Sequence, residues 1–519
     1  MIFYEKETWL GLMLASVPAV VSIYMFFIAE KKRTALFLLV LSAFLLRMVM
    51  ISLDPYLHDW DEKFHALVAR NMTHFPFKPM LFEHPVFPYN YKDWSYNHIW
   101  LHKQPVFLWQ MAISMKVFGI NLIGLRLPSA LMGTAIVWLV YDLGRKWLKD
   151  ENVAFIGGII SCFSFFSLEL IAGQMSTDHN DVAFVFYVTL SLWAFAVYIH
   201  DGLKLKWAIL TGIFVGLAIL NKWLTGWLVF GGWFLYILIS QTKRRDLKAY
   251  RDLLISVAVS CVVFLPWQVY MMSCFPKDSE VLYADNVRHI VEDLGHPGSV
   301  FYHLAFLPTA YNYFFLIFLV IGSFTIYFSK QANILLTTSY LAMAFVLFSF
   351  FSIFVKTKMA SFPYPVSGIL MLISAFGLYT TFNFLSSKYI AKPIAKKVMI
   401  SLLTLLMAFF CLKPGTISQS RSIHDEKRNN KIYNTKVFKN LDENLTGKYI
   451  LINCRAYENI DLMFFKGGTA YHYYPDEKSI DSLENHGYII AAFDYRDQQK
   501  LPEYIMTDNR IFLMPEKLK

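Results

Sequence analysis

The stretch "TALFLLVLSAFLLRMVMISLDPYLHDWDEKFHALVARNM", residues 34–72, decides the fold class. It opens with an apolar run of about twenty residues, the length that an α-helix needs to cross about 30 Å of hydrocarbon. Three acidic residues, Asp59, Asp61 and Glu62, follow where the chain leaves the lipid. The stretch therefore predicts a transmembrane helix that leads into a charged loop.

Similar apolar runs recur along the 519 residues, of which 56% are hydrophobic. A soluble enzyme of this length would instead show amphipathic periodicity and divide into several domains. The sequence thus predicts a polytopic α-helical membrane protein with about twelve spans. We place them at 8–29, 34–53, 123–147, 152–172, 182–199, 206–220, 223–240, 252–273, 305–327, 333–354, 362–384 and 396–412.

Basic residues in the short loops predict the orientation, because Lys and Arg accumulate on the cytoplasmic side. Three basic clusters share one face if the N-terminus is outside. We therefore expect a multi-pass protein of the inner (cytoplasmic) membrane, with the acidic stretch, loops 173–181 and 274–304 and everything after 413 on the extracytoplasmic face. The clusters are Lys31, Lys32 and Arg33; Arg145, Lys146 and Lys149; and Lys243, Arg244, Arg245, Lys248 and Arg251.

The composition changes after residue 413. The segment "KPGTISQSRSIHDEKRNNK" reads as a polar linker, "KYILINC", "GYIIAAF" and "RIFLMP" as strands, and "SIDSLENH" as a short helix. These patterns predict a transmembrane domain over 1–413 and a small soluble α/β domain over 414–519. Gly467 and Gly468 lack the strand-turn-helix phosphate pattern and indicate a turn, so we expect no nucleotide or organic cofactor.

The net charge of +10 comes from basic residues scattered over loops. This distribution fits contact with membrane lipid and excludes nucleic acid as a partner.

Two interpretations fit the acidic stretch. Asp59 and Glu62 have the spacing of a capping box for a helix that starts near Trp60. Alternatively, the acids are functional, because the first loop (54–122) is far longer than a connector needs and its residues 54–104 hold six of the fourteen histidines.

Five segments within residues 54–365 carry a family resemblance: "DEKFHALVARNM", "HKQPVFLW", "FGINLIGLRLPSAL", "GLAILNKWLTG" and "TKMASFPYP". In order and spacing they resemble the GT-C glycosyltransferases, in the branch of the protein O-mannosyltransferases and the bacterial lipid A aminoarabinose transferases. The resemblance implies a GT-C-like fold and inverting transfer of a sugar from a polyprenyl-phosphate donor to a lipid, glycan or protein acceptor.

The resemblance also implies roles for residues of the first loop. Asp61 matches the catalytic aspartate, a base for the acceptor, and Glu62 matches the neighbouring acidic position. Lys103 matches the lysine of a Glu-Lys-Pro-Pro motif, where a cation would neutralise the departing phosphate. His102 replaces the glutamate associated with a metal, so either it is a ligand of a divalent cation or the site is lost.

The chain departs from the family pattern at two places. Phe64 stands where an arginine is usual, with Lys63 before it, and Phe362 stands where a tyrosine is expected. We therefore expect a rebuilt phosphate grip, formed by Lys63, Lys103, Lys358 and Tyr364.

Three further positions have two interpretations each. Asp178 or Asp181 matches a further conserved acid, although Asp178 could simply cap the next helix. Arg126 lies near phosphate or pins the loop. Lys222 either snorkels to the membrane surface or belongs to the site.

Two other classes of function fit the composition. A transporter or flippase of lipid or polyprenyl-linked sugar would also have many spans, but its ionisable residues would lie at mid-bilayer rather than in one long loop. An assembly subunit with a degenerate site is the third hypothesis, which His102, Phe64 and Phe362 support.

Overall fold

The computed structural model describes residues 2–91, 93, 95, 97–442, 447–496 and 501–519, and it is mostly helical. Two compact units account for the chain: one is Met1–Thr8, Ile51–Pro128 and Thr416–Lys519, and the other is Trp9–Met50 and Ser129–Gly415. In chain order the helices up to residue 274 are α1 Glu5–Phe27, α2 Lys32–Ser52, α3 Asp61–Met72, α4 Pro105–Phe118, α5 Leu122–Trp147, α6 Glu151–Cys162, α7 Phe165–Ile171, α8 Asp178–His200, α9 Leu205–Lys222, α10 Leu228–Ile239 and α11 Leu247–Cys274.

The later helices are shorter on average. They are α12 Pro276–Val291, α13 Tyr302–Ala310, α14 Tyr313–Thr325, α15 Ile334–Ser349, α16 Ser367–Tyr389, α17 Pro393–Leu412, α18 Pro414–Gln419, α19 Glu426–Asn440, α20 Glu458–Lys466, α21 Glu477–Asn485 and α22 Glu503–Met506.

Among the described residues, nine helices are long and apolar enough to cross a membrane, or up to eleven if each of two bent pairs is one span. The predicted class, a polytopic helical membrane protein, is confirmed, but the count is below the expected twelve. The difference lies at 223–240, where a 3₁₀ turn at Trp223–Trp227 interrupts the helix. The helix that follows, α10, has only 12 residues, and even with part of the turn included, as Leu224–Ile239, the apolar stretch falls short of a full span.

The first bent pair joins α6 to α7 at an angle of 45°. At the break the buried guanidinium of Arg47 donates to the carbonyls of Ser161 (3.2 Å) and Cys162 (3.3 Å). Carbonyls freed from a helix in an apolar environment need such a donor. Arg47 therefore has a structural role in this unit.

The second bent pair joins α13 to α14, where the chain turns by 116°. Asn312, with φ of 131°, is the N-cap of α14, and its Oδ1 accepts a hydrogen bond from the Phe315 amide at 2.8 Å. This cap begins a new helix in a new direction instead of continuing α13.

The C-terminal segment forms a parallel four-stranded sheet with strand order β2-β1-β3-β4. The predicted strands and the predicted helix α21 are present, and β2 follows directly on the turn at Gly467 and Gly468, which have φ of 75° and 79°. The strands are β1 Tyr449–Ile452, β2 Thr469–Ala470, β3 Ile489–Ala492 and β4 Phe512–Leu513. The predicted small α/β region is thus confirmed, whereas an independent domain boundary after 413 stays a prediction.

The segment 413–431, expected to be a polar linker, is mostly helical, so that expectation is wrong. It contains α18 and the start of α19, and the side chains of Arg421 and Arg428 are buried. Their guanidinium groups bind a carboxylate of the first loop, described below, which gives this polar stretch a fixed structure.

Two glycines allow α14 and α16 to touch. A Cβ at Gly322 would lie 2.0 Å from the carbonyl oxygen of Ile373, and a Cβ at Gly377 would lie 2.0 Å from that of Phe318. Small residues that let helix backbones approach closely are a common basis of packing in membranes.

We predict that Gly377→Ala destabilises the protein by about 1–3 kcal/mol, because the added methyl group forces the two backbones apart. Thermal unfolding in detergent measures the effect. Gly231→Ala is the matched control, since a Cβ there meets nothing within 4 Å. An equal melting temperature for the two variants would contradict the prediction.

Candidate active site

The helix α3 begins at Asp61, and its N-cap residue is Trp60, not the expected Asp59. Asp59 instead forms an ion pair with Lys431 at 2.6 Å. Glu62 keeps part of the predicted capping role, because its carboxylate accepts a hydrogen bond from the backbone amide of His58 at 2.7 Å. The capping box is therefore only half formed, and Asp61 occupies the first helical position.

Three successive residues of the first turn of α3 point in three directions, since neighbours on a helix are about 100° apart. Asp61 faces Lys103, with Oδ1 3.3 Å from Nζ. These two side chains are partly exposed, at 21% and 17%. The buried ring of His65, one turn later, places Nε2 3.9 Å from the same Asp61 oxygen.

Glu62 forms a fully buried ion pair with Arg126. Its two oxygens lie 2.6 and 2.9 Å from Nε and Nη2 of the guanidinium. Arg126 also donates to the carbonyls of Ile51, Asp54 and Tyr56 at 3.2, 2.8 and 2.7 Å. Of the two interpretations of Arg126, this geometry favours the one in which it pins the loop. It gives Glu62 a structural contact, and the predicted place of Glu62 in the substrate site stays a prediction.

Lys63, expected to grip phosphate, is also buried and turned away from Asp61. Its Nζ lies 2.7 Å from Oδ2 of Asp461 on α20. Burial acts to lower the pKa of Lys63, but the attraction of Asp461 outweighs it and raises that pKa. The Lys63 ammonium thus pairs with Asp461, and its expected binding of phosphate stays a prediction.

A second buried carboxylate in the same unit anchors the start of the loop. Asp54 lies 3.0 Å from Arg421 and 3.0 Å from Arg428, and 3.4 Å from the ring of His58. Burial alone would raise the pKa of Asp54, but these cations hold it well below its usual range. The sequence did not identify either arginine as a partner of Asp54. The available signal was the positive charge of the segment that follows the last span.

The other unit contains an ion pair of its own at the start of α8. Lys222 forms an ion pair with the buried Asp181, which also accepts a hydrogen bond from Thr177. The Lys222 ammonium lies over the ring of Phe362, 5.0 Å from its centroid. The structure therefore supplies the partner for Lys222 that the sequence did not reveal, and both residues stay in the predicted site set.

Asp178 is the first residue of α8, and the N-cap is Thr177. The Asp178 carboxylate accepts a hydrogen bond from the amide of His179, whose ring is 2.8 Å from the hydroxyl of Ser129. Thr177 and Asp178 have φ of 65° and 21°, a backbone conformation that costs energy for residues other than glycine. Asp181 pairs with Lys222, and the choice between the two acids stays a prediction.

The other two residues of the expected phosphate grip have partners within their own unit. The buried Lys358 ammonium donates to backbone carbonyls, those of Phe351 at 2.9 Å and Ser352 at 2.8 Å among them. The hydroxyl of Tyr364 is 3.0 Å from that of Ser164, in a buried aromatic cluster. Both side chains thus have partners within the protein, and their role in binding phosphate stays a prediction.

The residues that the structure describes fit a metal site poorly. Among them, no group of three or more His, Cys, Asp or Glu side chains is placed to hold a metal ion. His102 packs near Trp100, with ring centroids 5.6 Å apart. A divalent metal bound through His102 stays a prediction, and no chemical step below depends on it.

With this geometry in view, comparison with known proteins is informative. Residues 102–270 match the family model described as dolichyl-phosphate-mannose-protein mannosyltransferase. Over 231 residues the chain is 31% identical to the undecaprenyl phosphate-alpha-4-amino-4-deoxy-L-arabinose arabinosyl transferase of Pseudomonas paraeruginosa, a match that covers 42% of this chain and 40% of that protein. The chain spans less than two thirds of the length of the curated relatives that it matches.

Two solved structures share the architecture. The crystal structure of ArnT from Cupriavidus metallidurans bound to undecaprenyl phosphate has a TM-score of 0.62 at 15% identity, over 87% of this chain and 88% of that chain. The oligosaccharyltransferase AglB from Archaeoglobus fulgidus, in complex with an inhibitory peptide and a dolichol-phosphate, has a TM-score of 0.55 at 13% identity, over 84% and 64%. The chain has the GT-C fold. The predicted resemblance to the GT-C membrane glycosyltransferases is confirmed.

In this GT-C protein we predict that Glu62→Gln lowers the free energy of unfolding by about 3–5 kcal/mol, because Arg126 keeps its charge in a buried site. Unfolding in mixed detergent micelles measures the loss. Glu151→Gln is the control, since Glu151 pairs with Lys32 while both side chains are 39% and 50% exposed, and such a pair contributes about 0–1 kcal/mol. Equal losses would contradict the prediction.

A pH dependence follows from Glu458, one turn before Asp461. Burial raises the pKa of Glu458 from 4.5 to about 7. Between these two pH values the folded protein holds a proton that the unfolded chain has lost, so stability falls as the pH rises through this window. We predict that Glu458→Gln flattens the fall in melting temperature between about pH 5 and pH 7, whereas Gln at the exposed Glu477 leaves it unchanged.

Proposed function

We propose that the chain is an integral membrane glycosyltransferase that transfers a sugar, with inversion, from a polyprenyl-phosphate donor to an extracytoplasmic acceptor. The proposal places it in the inner membrane, with Asp61 and the C-terminal segment on the extracytoplasmic face. The GT-C fold supports this function, as do ArnT with bound undecaprenyl phosphate and AglB with a dolichol-phosphate.

The pair formed by Asp61 and Lys103 is the observation that carries the proposal. In the first turn of α3, Glu62 is 0% and Lys63 is 4% exposed, whereas Asp61 remains 21% exposed. A carboxylate and an ammonium 3.3 Å apart, both reachable from solvent, supply an acceptor for a proton and a cation for an anionic leaving group.

The transfer step is a single displacement. The acceptor O–H loses its proton to the Asp61 carboxylate while its oxygen attacks the anomeric carbon from the face opposite the phosphate. The bond between that carbon and the phosphate oxygen breaks, and the electron pair leaves with polyprenyl phosphate. Lys103 stabilises the charge that develops on this phosphate, and His65 helps to hold the orientation of Asp61.

The relatives name three kinds of reaction. One transfers an aminoarabinose from undecaprenyl phosphate, one family mannosylates protein, and one is an oligosaccharyltransferase. All three names include a polyprenyl phosphate, undecaprenyl or dolichyl, and the family description names protein as the acceptor. We therefore propose a polyprenyl-phosphate sugar as the donor for this chain. The assay below distinguishes lipid, glycan and protein as acceptors.

We predict that Asp61→Asn lowers transfer by at least about 100-fold, because the acceptor loses its base. Lys103→Met should chiefly weaken use of the donor. The assay incubates purified protein in lipid with radiolabelled undecaprenyl-phosphate sugars and membrane extract, then separates labelled lipid, glycan and protein.

The control is Asp481→Asn, an exposed acid of the C-terminal segment that pairs with Arg510. Near-normal turnover in Asp61→Asn would show that the assignment of the base is wrong. Movement of the labelled donor across vesicles, without transfer and independent of Asp61, would instead indicate a flippase.

A further inference from the structure

The C-terminal segment contacts the helix that carries Asp61 through one buried ion pair. Lys63 stands two positions after Asp61, and its ammonium lies 2.7 Å from Asp461 on α20. The two side chains are only 4% and 5% exposed. Lys63 and Asp461 belong to the same compact unit but lie far apart in sequence.

Ring contacts join the same two helices. Tyr457 precedes α20, and its ring centroid lies 5.2 Å from that of Trp60 and 5.6 Å from that of Phe64. These contacts flank the ion pair on α3, because Trp60 precedes the helix and Phe64 follows Lys63. Apolar packing thus sets the distance between α3 and α20, while the ion pair supplies a directional contact.

Two directional contacts on one turn determine how a helix is rotated about its axis. Glu62 is held by Arg126, and Lys63 is held by Asp461, about 100° further round. Together they leave Asp61 one orientation, toward Lys103. If either is lost, α3 can rotate while remaining helical, which moves the Asp61 oxygens away from their reactive position.

We propose that Asp461 is a positioning residue for sugar transfer, acting through Lys63 to aim the Asp61 carboxylate. This inference rests on the proposed function, since it assumes that Asp61 is the base. It assigns to the C-terminal segment a part in the chemical step.

The main test is Asp461→Asn, which removes the charge at constant shape. We expect kcat to fall by about 10- to 100-fold, because a displacement of about 1 Å in a reacting group costs about that much. KM for the undecaprenyl-phosphate sugar should stay within about 2-fold, because Lys103 is untouched, and this split separates misplacement from loss of binding.

Reversal of the pair supplies the rescue. In Lys63→Asp with Asp461→Lys the ion pair is restored with opposite polarity, and we expect kcat to recover at least about 10-fold relative to either single variant. Asp494→Asn is the matched control: Asp494 lies in the same segment and is paired with Lys517, outside the contact with α3. It should leave both kinetic constants unchanged.

Amide hydrogen exchange of residues 61–72 gives a readout that needs no turnover. Asp461→Asn should accelerate exchange at the start of α3, and Asp494→Asn should not. Unchanged kcat and unchanged exchange in a folded Asp461→Asn protein would overturn the inference, as would a folded reversed pair without rescue.

If Asp461→Asn fails to fold, kcat and amide hydrogen exchange of the reversed pair test the inference instead. A different result would contradict the proposed function: the wild type transfers none of the labelled sugars, or Asp61→Asn remains active. In that case amide hydrogen exchange in α3 still tests the coupling between α3 and Asp461.

Discussion

The buried ion pair between Glu62 and Arg126 is the constraint on which the loop depends. Placing two charges in an apolar site is expensive, and attraction between them repays the cost only when the remaining polar atoms are also satisfied. Arg126 meets this condition through three backbone carbonyls between Ile51 and Tyr56, and Glu62 through the amide of His58. The pair thus ties the end of α2, the loop and the start of α3 to α5. Asp61, the residue before Glu62, takes its direction from this arrangement.

Hydropathy alone predicted most of the fold, because the bilayer requires apolar helices of nearly constant length. It failed at 223–240, where the sequence is apolar but a 3₁₀ turn shortens the helix, since hydropathy reports composition and not backbone hydrogen bonding. It also failed at 413–431. The polar residues there indicate a linker, whereas Arg421 and Arg428 are buried against Asp54, a partner that no local pattern indicates.

The candidate site was predictable only in part, for a geometric reason. Asp61 and Lys103 form a pair, as the order of the motifs indicated. Lys222 pairs with Asp181, which precedes it by 41 residues in the sequence. Lys358 follows a short helical turn at Phe350–Phe354, and its ammonium donates to backbone carbonyls at the end of that turn. Which way a lysine points from an irregular segment depends on such neighbours, and a sequence motif does not specify it.

Burial therefore separates the lysines by role. A cation that acts on a substrate must keep contact with solvent until the substrate displaces it, whereas a cation that holds the fold gains from being enclosed with its partner. Lys103, at 17% exposure, satisfies the first condition, and Lys63, at 4%, satisfies the second. The same test applies to the acids of the first loop, because Asp54 and Glu62 are enclosed with arginines while Asp61 is not.

The separation of buried structural charges from exposed ones explains why so many charged side chains surround the carboxylate of Asp61. The structural charges have partners within the unit, Glu62 with Arg126, Lys63 with Asp461 and Asp54 with two arginines, so the loop can carry several buried ions. Among the described residues, the charges that face solvent at the start of α3 include those of Asp61 and Lys103, together with Asp59 and the two lysines that pair with it, Lys427 and Lys431. A phosphate that approaches Asp61 would otherwise be repelled, and Lys103 beside it offsets that repulsion where the leaving group must lie.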